Sequence, residues 1–205
     1  KTVVDLVKNR LPNKYQVSPI TDIQVLTPVK KGLTGVFNLN KVLQEELNPK
    51  SKNKKEHIFG ETVFRVGDKI MQIRNNYDRI YKVQERFGNF VEGTGVFNGD
   101  SGIIKDIDIP SRELTVKFDD NRISVYDFND LEELTLSYAI SVHKSQGCEF
   151  PIVVLPLPLS NIRILTRNLL YTAVTRAKNL VVACTNEQSI SFAVNNIDTQ
   201  IGRAH

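Results

Sequence analysis

The stretch Ser137–Pro156, SYAISVHKSQGCEFPIVVLP, sets seven polar, glycine or cysteine positions, His143 to Glu149, between two apolar runs. The second run continues as IVVLPL (152–157), a short apolar segment of the kind that is buried on both faces of a parallel sheet. Breaking a buried sheet with His, Lys, Ser, Gln, Gly and Glu suits the holding of an anion, a base or a nucleotide. What the rest of the chain supplies decides between these.

Outward from this point the texture is α/β. Downstream, NLLYTAVTRAK (168–178) has helical spacing and LVVACT (180–185) reads as another buried strand. Upstream, ELTLSYA (133–139) reads as one strand and SVHKSQG (141–147) as a short helix or turn. Near the start, residues 2–11 carry Val3, Leu6, Val7 and Leu11 at helical spacing, DIQVLTP (22–28) is a buried strand ended by Pro28, and residues 35–47 place Val36, Leu39, Leu43 and Leu47 on one helix face. Such alternation predicts a parallel sheet with crossover connections. The last eleven residues, 195–205, are polar and read as a frayed end.

Residues 62–131 differ. Short alternating runs are separated by Asn98-Gly99, Asp119-Asp120 and Asn121, which suit tight turns between antiparallel strands. Several strands at that spacing predict a small barrel or sandwich. The expected division is an α/β domain over 1–61 and 132–205, interrupted by a β-barrel over 62–131.

The 205 residues carry an excess of four positive charges, compatible with a polyanionic partner but not demanding one. Lys50, Lys52, Lys54 and Lys55 cluster in NPKSKNKKEH, which has no apolar period and reads as a solvated loop. The two cysteines, Cys148 and Cys184, lack disulfide or zinc spacing, and no metal site is expected. No window approaches the roughly 20 apolar residues of a membrane span, and no signal peptide opens the chain, so a cytoplasmic location is expected. The chain opens at Lys1 inside an apolar-patterned segment, as an excised part of a longer protein would.

Several residues have chemistry to offer. Ser141 can cap the turn that follows, leaving backbone donors near His143 and Lys144; a phosphate site and an ordinary capped helix are both open. Glu149, one turn beyond Gly147, can accept from a ribose hydroxyl or simply be solvated. On a helix over 169–177, Arg176 borders the buried face, where it serves either as a finger on a transferred phosphoryl group or as half of a surface ion pair. There is no GxxxxGK[ST] loop and no acidic pair after an apolar strand, so the chain by itself is not expected to hydrolyse ATP.

These segments resemble a known family. TLSYAISVHKSQGCEFPIVVLPL and LLYTAVTRAKNLVVACT resemble motifs V and VI of superfamily 1 helicases, in the RecD-like branch that includes the exodeoxyribonuclease V alpha subunit. IQVLTPVKKGLTGVFNLNKVLQ resembles the opening of that branch's second motor domain, and GDKIMQIRNNYD with VFNGDSGII its inserted SH3-like barrel. The match runs over roughly residues 20–185 in the family's order; residues 79–95 are harder to align.

The resemblance implies a RecA-like parallel-sheet second motor domain with an inserted SH3-like β-barrel, part of an ATP-dependent helicase moving 5′ to 3′ on DNA. It implies that ATP and Mg2+ are held mainly by an N-terminal motor domain absent from this sequence, with single-stranded DNA and, in some relatives, nuclease or helicase subunits as partners. Arg176 then falls on the motif VI arginine, and Gly147 and Glu149 beside the nucleotide. Pro28, Lys30, Lys31, Ser141, His143, Lys144 and Ser145 fall where the family touches the DNA backbone; Ser141 stands where threonine is usual. Asn75, Asn76 and Asn98 either touch DNA or form turns. A non-catalytic nucleic-acid-binding module and the helicase part of a conjugative relaxase are the alternatives.

Overall fold

A computed structural model describes residues 1–84, 88–157 and 164–197. Its contacts divide the chain into two compact units: Lys1–Leu47 with the chain from Tyr138 on, and Asn48–Ser137. The second unit is wider than the 62–131 expected, because the hairpin of β2 (Glu56–Phe59) and β3 (Thr62–Arg65) belongs to it. Arg65 ties that hairpin in: its Nη1 donates to the Asn48 carbonyl at 2.6 Å and its Nε pairs with Glu56 at 3.0 Å. The lysines before it are engaged within the same unit, Lys50 with Glu56 and Lys55 with Asp106, while Lys54 donates to Asn48. This loop therefore spends three of its cations on its own unit.

The first unit is built on a parallel sheet of four strands, in the order β11 (Ala139–Ser141), β1 (Ile23–Thr27), β12 (Phe150–Pro156), β13 (Ala177–Cys184). Strand β1 is buried along its whole length, and Leu26, Val153, Val154 and Leu155 have no exposed surface. Continuous apolar runs fold this way because both faces of a parallel sheet are covered. Truncating Leu26 or Leu155 to alanine would cost about 2–5 kcal/mol.

The helix α3 (Val36–Leu47) buries Leu39, Asn40, Leu43 and Gln44. Asn40 is polar on this buried side for a reason: its side-chain amide pairs with both backbone groups of Ala139 on the edge strand β11. At the chain start, helical turns α1 (Thr2–Asp5), Leu6–Arg10 and α2 (Leu11–Tyr15) run on without a break. The expected helix ended at residue 11, before Pro12. The middle turn widens to i→i−5 bonding, with Leu11 N–H donating to the Leu6 carbonyl, and such a π-turn accommodates a residue with no N–H to give. The helix stops at Gln16, in the left-handed region at φ 54°.

In the second unit β4 (Lys69–Gln72), β5 (Asn76–Gln84), β6 (Phe90–Val96), β7 (Ser101–Asp108), β8 (Glu113–Phe118), β9 (Ile123–Asp127) and β10 (Leu134–Leu136) form one antiparallel sheet, ordered β10-β4-β7-β8-β9-β5-β6. It wraps Phe64, Ile70, Met71, Ile104, Leu114, Phe118 and Tyr126 into its own core. Gly102 is required where β7 meets β8, since a Cβ there would stand 2.5 Å from the Lys117 carbonyl oxygen.

Two turn expectations separate. Asn121, at φ 70°, turns β8 into β9 as expected. Asn98-Gly99 joins β6 to β7, which are not neighbours in the sheet, so it is not a hairpin turn. Its backbone pairs instead with Gln72, through Gly99 N–H to the Gln72 carbonyl and Gln72 N–H to the Asp100 carbonyl.

The single strand expected over 133–139 is also divided. Its first part is β10, antiparallel to β4, and the chain passes to β11, parallel to β1, across Ser137 and Tyr138. Two sheets of opposite sense claim one apolar run. No helix among the described residues is long and apolar enough to cross a membrane. The frayed end expected at 195–205 lies, from residue 198 on, outside the described residues.

Candidate functional site

The sheet of the first unit sorts the candidate residues onto its two ends. Thr27 is level with Ser141 at the C-terminal ends of β1 and β11, so the loops carrying Pro28, Lys30 and Lys31 and carrying Ser141–Ser145 leave from one end. Phe150 pairs with Ala177 at the N-terminal ends of β12 and β13, so Gly147, Glu149 and Arg176 gather at the other. Strands of this length place the two ends roughly 17–20 Å apart.

At the C-terminal end, the loop after β1 folds back on α3. The Thr27 hydroxyl donates to the Thr34 carbonyl at 2.6 Å, and Val36 N–H donates to the Val29 carbonyl at 3.0 Å. Gly35 permits this closure, because a Cβ there would lie 2.5 Å from the Lys31 carbonyl. Lys30 and Lys31 are left exposed, and Pro28 is half-buried.

The loop after β11 makes only a three-residue 3-10 turn, His143–Ser145. So short a turn carries little dipole, and Lys144 N–H is already given to the Ser141 hydroxyl at 3.3 Å. The Ser141 hydroxyl thus accepts from within the turn, whose N-cap residue is Val142. Ser145 is a further correction: it is buried, and its hydroxyl donates to the Val142 carbonyl at 2.6 Å, so it shapes the turn rather than facing a ligand. His143 and Lys144 remain at the surface. Burial, and next the Lys30 ammonium beside it, hold the Lys144 ammonium below the usual lysine range. Two cations are thus brought together by two loops, an arrangement an anion relieves.

At the other end, Arg176 is not on a helix. Helix α4 (Arg167–Val174) stops short of it, and Arg176 occupies the turn before β13. Thr175 ends the helix by donating its hydroxyl back to the Tyr171 and Thr172 carbonyls. The guanidinium donates to three neutral oxygens, each at 3.3 Å: the Thr172 carbonyl, the Cys148 carbonyl and the Thr175 hydroxyl. The surface ion pair considered for it has no carboxylate among the described residues. The Cys148 contact sets Arg176 against the turn between Gly147 and Glu149.

Gly147 sits at φ 82°, and a Cβ there would meet nothing within 4 Å. Its backbone is therefore both strained for other residues and open to approach. Glu149 is exposed and pairs with Lys178 at 3.4 Å, an ion pair of little weight in water. In the second unit, Asn75 accepts from Asn98 N–H, and Asn76 donates to Glu133 while accepting from Asp78 N–H, so these asparagines build turns.

The residues present fit half of a nucleotide site: one guanidinium, one carboxylate and an open glycine backbone. Among the described residues there is no group of three His, Cys, Asp or Glu side chains that could hold a metal ion. Sequence reasoning missed Asn40, which supports Ala139 two residues before Ser141. Its signal was an amide pair, Asn40 and Gln44, at helical spacing beside the apolar stripe.

Two family models match the chain. Residues 136–184, nearly all of them in the first unit, match the UvrD-like helicase C-terminal domain. Residues 39–118 match the SH3 domain of ATP-dependent RecD-like DNA helicases. The chain thus carries an SH3 domain of the RecD-like helicase kind followed by a UvrD-like helicase C-terminal domain.

Among its relatives, the ATP-dependent RecD2 DNA helicase of Deinococcus radiodurans is 34% identical over 77% of this chain and 19% of its own length. The RecBCD enzyme subunit RecD of Buchnera aphidicola is 30% identical over 84% of this chain and 26% of its own. The chain thus spans about a quarter or less of these relatives. A Bacteroides Pif1 helicase structure, in complex with ADP-AlF3 and single-stranded DNA, aligns with 93% of this chain and 48% of that one, at 16% identity and a TM-score of 0.49.

Proposed function

We propose that the chain is the second motor half of an ATP-dependent DNA helicase moving 5′ to 3′, which grips single-stranded DNA at one end of its parallel sheet and completes an ATP site at the other. The observation that carries this reading is the segment Ser141–Glu149, which runs from one sheet end to the other within nine residues. Lys30, Lys31, His143 and Lys144 offer cations and donors to a phosphate backbone, while Ser141 and Ser145 hold their turn in shape. Backbone contacts of this kind read no sequence.

At the other end, Arg176 reaches charge developing on a transferred phosphoryl group, with its planar fork held by Thr175 and Cys148. Gly147 lets the backbone come close, and Glu149 accepts from the ribose. ATP with Mg2+, held mainly by an N-terminal motor domain, would supply the phosphoryl group. Because the guanidinium gains a charged partner only at that stage, nucleotide state biases closure of the two motor domains, and Ser141–Glu149 passes this to the DNA loops. Nuclease or helicase subunits are further proposed partners; the Buchnera relative is named as a subunit of the RecBCD enzyme.

The test is DNA-stimulated ATP turnover. Arg176→Ala in the whole parent protein is expected to cost on the order of 10³-fold with ATP binding retained, and this chain alone is expected to give no turnover. A near-normal rate in the variant, or turnover by the isolated chain, overturns the reading.

A further inference from the structure

The outer face of the antiparallel unit has a character opposite to the rest of the chain. Tyr81 pairs with Ser124 and Lys82 with Ile123, so strand alternation puts Ile80, Lys82, Ile123 and Val125 on the face away from buried Tyr126. Ile80 is 56% and Val125 45% exposed, and both line a groove of about 640 Å³. Five carboxylates rim this apolar floor, Asp78, Glu92, Glu113, Asp127 and Asp130, against the cations Arg79 and Lys82.

Pairing leaves the excess uncovered. Lys82 pairs with Glu92 at 3.2 Å and Arg79 with Asp130 at 3.0 Å. Asp78, Glu113 and Asp127 have no cationic partner among the described residues. A groove with three negative charges in excess thus sits on a chain whose formal net charge is +4. A polyanion is repelled from such a surface, while a cationic ligand is drawn to it.

We propose that this face docks an extended protein segment in which lysine or arginine side chains alternate with aliphatic ones. The aliphatic side chains cover Ile80 and Val125, and the cations meet Asp78, Glu113 and Asp127. The groove is walled by strands, so an extended segment presents side chains at the matching period of two. The inference does not rest on the helicase mechanism proposed above, and it assigns this face to protein rather than to DNA.

The test uses this chain and fluorescently labelled octapeptides at about 0.15 M salt, where surface charges more than about 8 Å apart are largely screened. The lysine–valine peptide KVKVKVKV is expected to bind at least tenfold more tightly than KSKSKSKS or EVEVEVEV. Asp78→Lys with Glu113→Lys should weaken it at least tenfold, and Ile80→Ser with Val125→Ser should do the same, the second pair leaving binding of an oligothymidylate unchanged. Circular dichroism melts of each variant check folding, and the second pair keeps the test open if the first fails to fold. Equal binding of KSKSKSKS, or unchanged binding in either folded pair, overturns the proposal.

Discussion

Asn40 and Ala139 exchange two hydrogen bonds: the side-chain Nδ2 of Asn40 donates to the Ala139 carbonyl at 2.8 Å, and Ala139 N–H donates to Asn40 Oδ1 at 2.9 Å. The side chain does for the edge strand β11 what another strand would do, and both partners are buried. Asn40→Ala would leave two buried backbone groups unsatisfied, at about 1–3 kcal/mol each. A urea titration should show the midpoint fall with the m-value unchanged. A loss under about 0.5 kcal/mol would mean the strand edge finds other partners.

Lys30 and Lys144 carry a prediction in salt and one in pH. Each Lys→Ala change should reduce the salt dependence of single-stranded DNA binding by about 0.7 in the log–log slope, if each neutralises one phosphate. DNA brings a negative charge to Lys144, whose ammonium is held below the usual lysine range by burial and by Lys30. Its pKa therefore rises in the complex, and affinity should fall as pH climbs through the lowered free-state value. Lys30→Ala should move that fall to higher pH. Anisotropy titrations across pH 7–10 would decide, and a flat profile removes Lys144 from the contact.

Gly147 at φ 82° makes a substitution with two readouts. Gly147→Ala should cost about 1–2 kcal/mol of stability from the left-handed backbone alone. Space around its Cβ position is open, so no clash with the protein adds to this. In the whole parent protein the same change should raise the KM for ATP, because the methyl group stands where a ligand would approach. An unchanged KM would place the nucleotide elsewhere.

Tyr126 gives an alkaline prediction. Burial pushes its phenol well above the usual tyrosine range, and its hydroxyl donates to Gln72 at 2.8 Å. The folded pKa is raised above the unfolded value of about 10, so its stabilisation is complete below that pH and is lost as pH rises past it. Ultraviolet titration should show Tyr126 ionising only with unfolding, and Tyr126→Phe should flatten the loss of stability above pH 10. An early, reversible titration of all six tyrosines would contradict it.

Much of this fold was legible because IQVLT and IVVLPL are short apolar runs that only a two-faced burial accommodates, and β1 and β12 form there. Alternation likewise announced the antiparallel unit. Where the reading slipped, a side chain had taken over from the backbone pattern. Ala177 continues the apolar period of α4, yet the Thr175 hydroxyl bonds back to the Tyr171 carbonyl and the chain turns out, which carries Arg176 off the helix. Ser145 looked available because a 3-10 turn has no period from which to tell inside from outside. The divided strand at Ser137–Tyr138 was hidden because a sheet's direction leaves no mark on a short apolar run.

The three long contacts of Arg176 have one more consequence. All its acceptors are uncharged, so moving the guanidinium breaks no ion pair. Each contact joins a charged donor to a neutral acceptor at a long 3.3 Å, and a carboxylate would have bound it more firmly. The arginine rests on a latch without a countercharge: secure enough to be aimed, and cheap to release.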